Sequence, residues 1–218
     1  MDDKKTLLTL IAVMAGTLAM IVGFAFVGTR PVKPITIDIG NSYFRGAKEA
    51  KVVVVEYSDF ECPSCAAFTN DIMPQLLPAY QDRVKFVNKF FPLYEIHSMA
   101  NITAQSAFCA GKVSSATDAA EMNAKFWEYS DNLMKKSDDW KDKPEKLVEY
   151  ATALKINKDD FVACQNSNEA KDLVLNDRRQ GELLGVNSTP TFFINGEKVV
   201  GLQSVEVWKK MLDEKLKK

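Results

Sequence analysis

One histidine, four cysteines and no surplus of either charge are the conspicuous shortages of this 218-residue chain: 28 Lys and Arg stand against 29 Asp and Glu, a net charge of -1. Each shortage excludes something. Nucleic-acid binding draws on neutralised phosphates and normally carries a basic excess, so that class is disfavoured at once. Four cysteines are too few for a small disulfide-knotted scaffold. A structural zinc site takes four ligands, and one histidine with Cys109 and Cys164, widely separated from each other and from Cys62 and Cys65, is a poor donor set, so neither a metal nor another cofactor is expected. No internal repeat and no low-complexity tract occurs. What remains is ordinary globular composition, 46% hydrophobic and 26% charged, with the apolar residues unevenly spread.

The unevenness is greatest at the start. Thr6 to Thr29 contains no charged residue, and as a helix it would span about 36 Å, enough to cross a hydrocarbon core of roughly 30 Å. Lys4 and Lys5 precede it, and Arg30 and Lys33 follow, so basic residues flank both ends and leave the orientation open. A cleaved signal peptide is the rival reading. Its apolar region is normally shorter and ends in an A-x-A-like site, for which Gly23 to Gly28 is a poor candidate. The expectation is therefore a single uncleaved transmembrane helix: residues 1–30 as cytoplasmic tail and anchor, then 31–47 as a Pro31–Pro34 spacer and an edge strand at Ile35 to Ile39, where apolar and polar residues alternate.

Lys51-Val-Val-Val-Val-Glu-Tyr57 is a β-branched run suited to a central strand buried on both faces. A helical pattern follows through Phe68, Ile72, Leu76 and Leu77, with Pro74 expected to kink or break it. Val84 to Phe91 is a second strand. From about Ser98 apolar residues recur at helical spacing, with helix starts at Asp142-Lys-Pro144-Glu145 and at Asn166 with Glu169, and a stop at Gly185. Thr191 to Ile194, Asn195-Gly196 and Glu197 to Val200 read as a hairpin, and Ser204 caps a last amphipathic helix carrying Trp208 and Leu212. The order is that of an α/β unit, with first part 48–97 and second part 185–218, interrupted by a helical insertion at 98–184.

Cys62-Pro63-Ser64-Cys65 lies where the valine-rich strand passes into a helix, and that placement carries the chemistry. Pro63 suits the first helical turn, where its missing N–H costs nothing. Cys62 then stands at the helix start, where unpaired N–H groups and the dipole favour a thiolate. Cys65 is one turn on, close enough to bond to it, so the pair can cycle between dithiol and disulfide. Glu56, at the end of the strand, is either a buried carboxylate or a strand-end glutamate with its head in solvent. His97 is read as a packing or capping residue and Trp127 as core.

With these residues in place the sequence resembles the thioredoxin superfamily, and within it the DsbA-like extracytoplasmic thiol–disulfide oxidoreductases, including their membrane-anchored members. The resemblance rests on Val53 to Cys65, Phe91-Pro-Leu with His97, Lys125-Phe-Trp-Glu128, and Leu184 to Gly196. It implies a thioredoxin fold with an inserted helical domain, a cis-proline at Pro190 facing the cysteines, and a Thr189 that offers its backbone to substrate as a neighbouring strand would. It implies a proton-moving role for Glu56 and a second disulfide between Cys109 and Cys164, which would close a long loop and add about 3–4 kcal/mol. Two free buried thiols or a redox relay are the other readings of that pair. The best-known strongly oxidising relatives carry histidine where this chain has Ser64. Neutral Ser64, with Asp59 and Glu61 opposing the thiolate if they lie near it, points to a weaker oxidant than those relatives.

The expected activity is disulfide formation in reduced exported proteins by a catalytic domain on the extracytoplasmic side of the cell membrane, where disulfides persist. The resemblance implies a quinone-linked membrane oxidase, of the DsbB or vitamin-K-epoxide-reductase type, as the partner that reoxidises the dithiol. A disulfide reductase or isomerase of the same fold is the rival enzyme. A non-catalytic tethered module that holds unfolded segments is the rival from another class.

Overall fold

Four consecutive valines open a central strand in which every residue but Val53 is buried, as β-branched side chains covered on both faces should be. The computed structural model describes residues 35–113 and 118–217. Its strands β1 (Phe44–Gly46), β2 (Val52–Ser58), β3 (Val84–Phe90), β4 (Thr191–Ile194) and β5 (Glu197–Val200) lie in the order β1-β3-β2-β4-β5. β2 runs parallel to β3, with Glu56 opposite Asn88 and Ser58 opposite Phe90, and antiparallel to β4. The edges β1 and β5 are antiparallel to their neighbours. The expected edge strand at Ile35 to Ile39 is corrected: that segment joins no ladder, and the edge begins at Phe44. Its alternation has another cause, because Ile37 and Ile39 pack onto the core around Val55 and Tyr57 from irregular backbone.

After β2 the chain enters a continuous helical segment: α1 (Pro63–Ala67), a π-helical turn (Phe68–Ile72) and α2 (Met73–Tyr80). Pro74 does not break it. The N–H of Met73 reaches back five residues to the carbonyl of Phe68, and this wide turn makes room for the proline ring. Between β3 and β4 come α3 (Ala100–Lys112), α4 (Ala119–Lys135), α5 (Ser137–Trp140), α6 (Pro144–Ala153), α7 (Lys158–Gln165) and α8 (Asn168–Leu183); α9 (Val205–Leu216) follows β5. The cap of α8 is Ser167, whose Oγ accepts from the N–H of Ala170 at 3.1 Å, one residue later than expected. Asn166 instead closes α7, its side chain donating to the carbonyl of Val162.

Strand alternation sorts the core into two faces. Val52, Val54, Val84, Phe86, Phe192 and Ile194 meet Phe68, Leu76, Trp208 and Leu212 on the side of α2 and α9. Val55, Tyr57, Val87, Phe91 and Phe193 face the other way. There α8 comes close because Gly181 lacks a side chain: a Cβ would lie 2.7 Å from the ring of Phe91. A buried ion pair fastens the same helix, Lys89 Nζ to Asp177 Oδ1 at 2.8 Å, while Asp177 Oδ2 accepts from the N–H of Phe90.

The inserted helices have a core of their own, in which Phe126, Tyr129, Leu133, Trp140, Leu147 and Phe161 are fully buried. The indole of Trp140 donates to the carbonyl of Leu133 at 2.8 Å and the hydroxyl of Tyr129 to that of Leu147 at 2.9 Å, so these two large side chains bury no unpaired polar atom. A disulfide joins Cys109 of α3 to Cys164 of α7 across 55 residues. Beyond the insertion, Gly185 ends α8 at φ +71°, and Asn195 and Gly196 turn the hairpin at φ +48° and +82°. Among the described residues no helix is long and apolar enough to cross a membrane. The segment Thr6 to Thr29, read as an anchor from sequence, lies outside them.

Replacing Cys109 and Cys164 together by alanine should lower the stability of the domain by about 3–4 kcal/mol in denaturant unfolding, since the unfolded chain regains the entropy of a long loop. An unchanged midpoint would show that the bridge does not constrain the fold.

Candidate active site

Strand β2 delivers the chain to one end of the sheet, and the backbone turns at once. The N–H of Cys62 donates to the carbonyl of Asp59, and the carbonyl of Cys62 accepts from the N–H groups of both Cys65 and Ala66. Cys62 is thus the first residue of the helix with extended backbone, φ -77° and ψ 118°, and Pro63 takes the first helical position. Cys62 is 7% exposed and Cys65 fully buried. Neither is bonded to another cysteine in this form.

The two thiols are driven in opposite directions. Cys62 falls from 9.0 to about 5, chiefly because the thiol of Cys65 donates to its sulfur; burial opposes this, and Thr189 and the backbone N–H groups of Cys65 and Ser64 add to it. Ser64 therefore acts here through its backbone. Cys65 is pushed well above 9.0, first by burial, then by its bond to Cys62 and the negative potential of Glu56 and Cys62. One sulfur is a nucleophile and a good leaving group, while the other keeps its proton.

Opposite the dithiol lies the turn before β4. The Thr189-Pro190 peptide is cis, and the carbonyl of Thr189 is 3.3 Å from the Sγ of Cys62, accepting from the protonated thiol. The carbonyl of Pro190 is held by the N–H of Gly201, and the hydroxyl of Thr191 donates to the carbonyl of Ser188. The hydroxyl of Thr189 is buried with no hydrogen-bond partner among the described residues, and it helps to lower Cys62. The structure thus brings together Cys62, Pro63, Ser64, Cys65, Thr189 and Pro190. Cys109 and Cys164 are occupied by their own disulfide.

Glu56 lies beneath the pair. It is 8% exposed, which decides between the two readings of its position. Burial raises its carboxyl from 4.5 to about 7, against the pull of the Ser58 hydroxyl and Arg45, and the charge of Cys62 raises it further. Asp59 and Glu61 do not behave as expected. Asp59 accepts from the N–H groups of Glu61 and Leu93, and its Oδ2 stands 2.9 Å from Nδ1 of His97. Glu61 accepts from the N–H of Met99. Both carboxylates thus strap the 93–99 loop in place instead of facing the sulfur. The local sequence gave no sign of this partnership, because it joins residues on opposite sides of β3. His97, read from sequence as a packing or capping residue, pairs with Asp59 instead, and Trp127, read as core, is half-buried under Arg45, with 4.0 Å between the guanidinium and the ring centre.

A thioredoxin fold with such a dithiol at a helix start, facing a cis-proline, defines a thiol–disulfide oxidoreductase. The chain belongs to the thioredoxin family, whose family model matches residues 38–214. The solved structure of oxidised BdbD from Bacillus subtilis superposes with a TM-score of 0.73 at 21% identity, covering 87% of this chain and 100% of that one. Alpha-DsbA1 from Wolbachia pipientis gives 0.70 at 18%, covering 84% and 93%. Among curated proteins, the Na(+)/H(+) antiporter NhaA 3 of Salinispora tropica is 31% identical over 172 residues, which are 79% of this chain and 24% of that protein. The chain thus spans about a quarter of the length of the curated relatives it matches.

The lowered thiol fixes a pH dependence. Cys62 titrates at about 5 when folded against an ordinary 9.0, so its thiolate stabilises the reduced fold fully above the ordinary value and not at all below the folded one. The stability of the reduced over the oxidised protein should therefore grow as pH rises from about 5; comparing the two forms largely cancels Glu56, which is present in both. A difference independent of pH would contradict the assignment. Thr189→Val, which removes the hydroxyl and keeps the shape, should move the onset of that growth to higher pH; an unchanged onset would take Thr189 out of the account.

Proposed function

We propose that the protein is a membrane-anchored oxidase of exported proteins, with its dithiol on the extracytoplasmic side. The observation that carries the direction of the reaction is the opposed protonation of the pair, Cys62 lowered to about 5 and Cys65 raised. A stabilised thiolate favours the reduced enzyme and so makes its disulfide a stronger oxidant. The anchor and the compartment rest on the uncharged run Thr6 to Thr29 and on the disulfide-bearing domain that follows it.

A substrate thiolate attacks Cys62 in the Cys62–Cys65 disulfide. The sulfur–sulfur bond breaks, a mixed disulfide forms at Cys62, and Cys65 leaves with the electron pair and takes a proton. Glu56, buried and titrating at about 7, supplies that proton. A second substrate thiolate then attacks the substrate sulfur of the mixed disulfide, and Cys62 departs as the thiolate. The substrate has lost two electrons to the enzyme. The membrane oxidase named above as the implied partner removes them and restores the disulfide. Thr189, with its backbone beside Cys62, offers the incoming chain a strand edge.

Equilibration with glutathione tests the direction. The Cys62–Cys65 couple should lie above thioredoxin's value of about −270 mV, towards but below the value of about −120 mV known for DsbA. A potential at or below thioredoxin's would make the protein a reductase. Cys62→Ser should abolish disulfide formation in a reduced model substrate, whereas unchanged formation would take the chemistry away from this pair.

A further inference from the structure

Three donors converge on one carboxylate beside the dithiol. Asp59 precedes Cys62 by three residues, and its side chain is fully covered. Its Oδ1 accepts from the N–H of Glu61 at 2.8 Å. Its Oδ2 accepts from the N–H of Leu93 at 2.7 Å and lies 2.9 Å from Nδ1 of His97. A carboxylate offers lone pairs and no proton, so the ring nitrogen facing it is the donor. His97 is the one histidine of the sequence. It sits on a closed turn between β3 and α3, where its N–H donates to the carbonyl of Leu93 at 2.9 Å and its carbonyl accepts from the N–H of Ala100 at 3.3 Å.

The backbone of the same residue reaches both cysteines. The carbonyl of Asp59 accepts from the N–H of Cys62 at 3.1 Å, and its own N–H donates to the sulfur of Cys65. Two planar peptide groups meet at the Cα of Asp59, and a carboxylate held by three donors leaves them little freedom to turn. We infer that His97 is a positioning residue for the exchange reaction: its ring holds the Asp59 carboxylate, and through it the two peptide groups that grip Cys62 and Cys65.

The inference rests on Cys62 and Cys65 as the exchanging pair and goes beyond the oxidase reading, since it holds for electron flow in either direction. When a substrate thiolate bonds to Cys62, the sulfur–sulfur bond breaks and its electron pair passes to Cys65. The N–H of Asp59 faces that sulfur, so the new charge meets an oriented donor in a covered site before a proton arrives. In the reduced protein the same N–H draws electron density from Cys65, whose thiol then donates more strongly to Cys62. The row of bonds runs from the Asp59 N–H to the Cys65 thiol to the Cys62 sulfur. His97 touches neither sulfur and acts through Asp59.

Two substitutions separate this role from packing. His97→Met keeps the bulk and removes the donor, while His97→Asn sets an amide N–H where Nδ1 stands. Alkylation of reduced Cys62, which titrates at about 5 in the parent protein, should titrate about one pH unit higher in His97→Met. The equilibrium constant for oxidising a reduced dithiol peptide, and the single-turnover rate of that reaction, should each fall about tenfold. His97→Asn should restore all three. A histidine that only packs would leave the titration and the constant unmoved, so parental values in His97→Met overturn the inference, as do values in His97→Asn no better than those in His97→Met. The parent protein supplies a check that needs no variant to fold. The amide proton resonance of Asp59 should move on oxidation of the dithiol, when its acceptor changes from a thiol to a disulfide sulfur; a resonance indifferent to redox state overturns the link to Cys65. Failure of the oxidase reading shows elsewhere, as a potential of the parent at or below thioredoxin's, and leaves the comparison of the variants intact.

Discussion

The bond from the thiol of Cys65 to the sulfur of Cys62 organises the whole active end of the molecule. It lowers one sulfur and raises the other at the same time, because the proton that stabilises the Cys62 thiolate is the proton Cys65 retains. That single asymmetry requires a helix that begins at Cys62, a turn of helix that brings Cys65 back to it, and enough burial to keep the second thiol protonated. Pro63 at the first helical position and the buried end of β2 meet those requirements with few residues.

The surroundings keep competing charges away from the sulfur. Asp59 and Glu61 lie within three residues of Cys62, yet both carboxylates are turned onto the 93–99 loop, where backbone N–H groups and His97 receive them. The carboxyl that does face the pair, Glu56, keeps its proton up to about 7 because of its own burial. The remaining cysteines are removed from the chemistry altogether, since Cys109 and Cys164 are joined inside the helical insertion. Four cysteines thus divide into a pair that exchanges and a pair that holds the insertion together.

Much of this was legible in the sequence, and the reason is local. The valine run, the Asn195-Gly196 turn, the Ser204 cap and the strand–Cys62–helix order are each set by a few adjacent residues whose conformational preferences agree. What the sequence did not disclose depends on tertiary register. Pro74 does not break the helix because a π-helical turn absorbs it, and Asn166 gives up the cap of α8 to Ser167 because it is already closing α7. The alternation at Ile35 to Ile39 serves packing without a ladder. Asp59 looked like a repulsive neighbour only because His97 and Leu93 are far off in the chain.

An exchange enzyme of this design has its chemistry at one sulfur, with a buried carboxyl beneath it and a cis-proline turn beside it, all positioned by the sheet. The account stands or falls with the state of Cys62. Alkylation of the reduced protein by a small thiol reagent, followed across pH, reports that state directly. The account predicts modification at Cys62 alone, with a rate that titrates at about 5. A rate that titrates near the ordinary thiol value, or equal modification of Cys65, would contradict it.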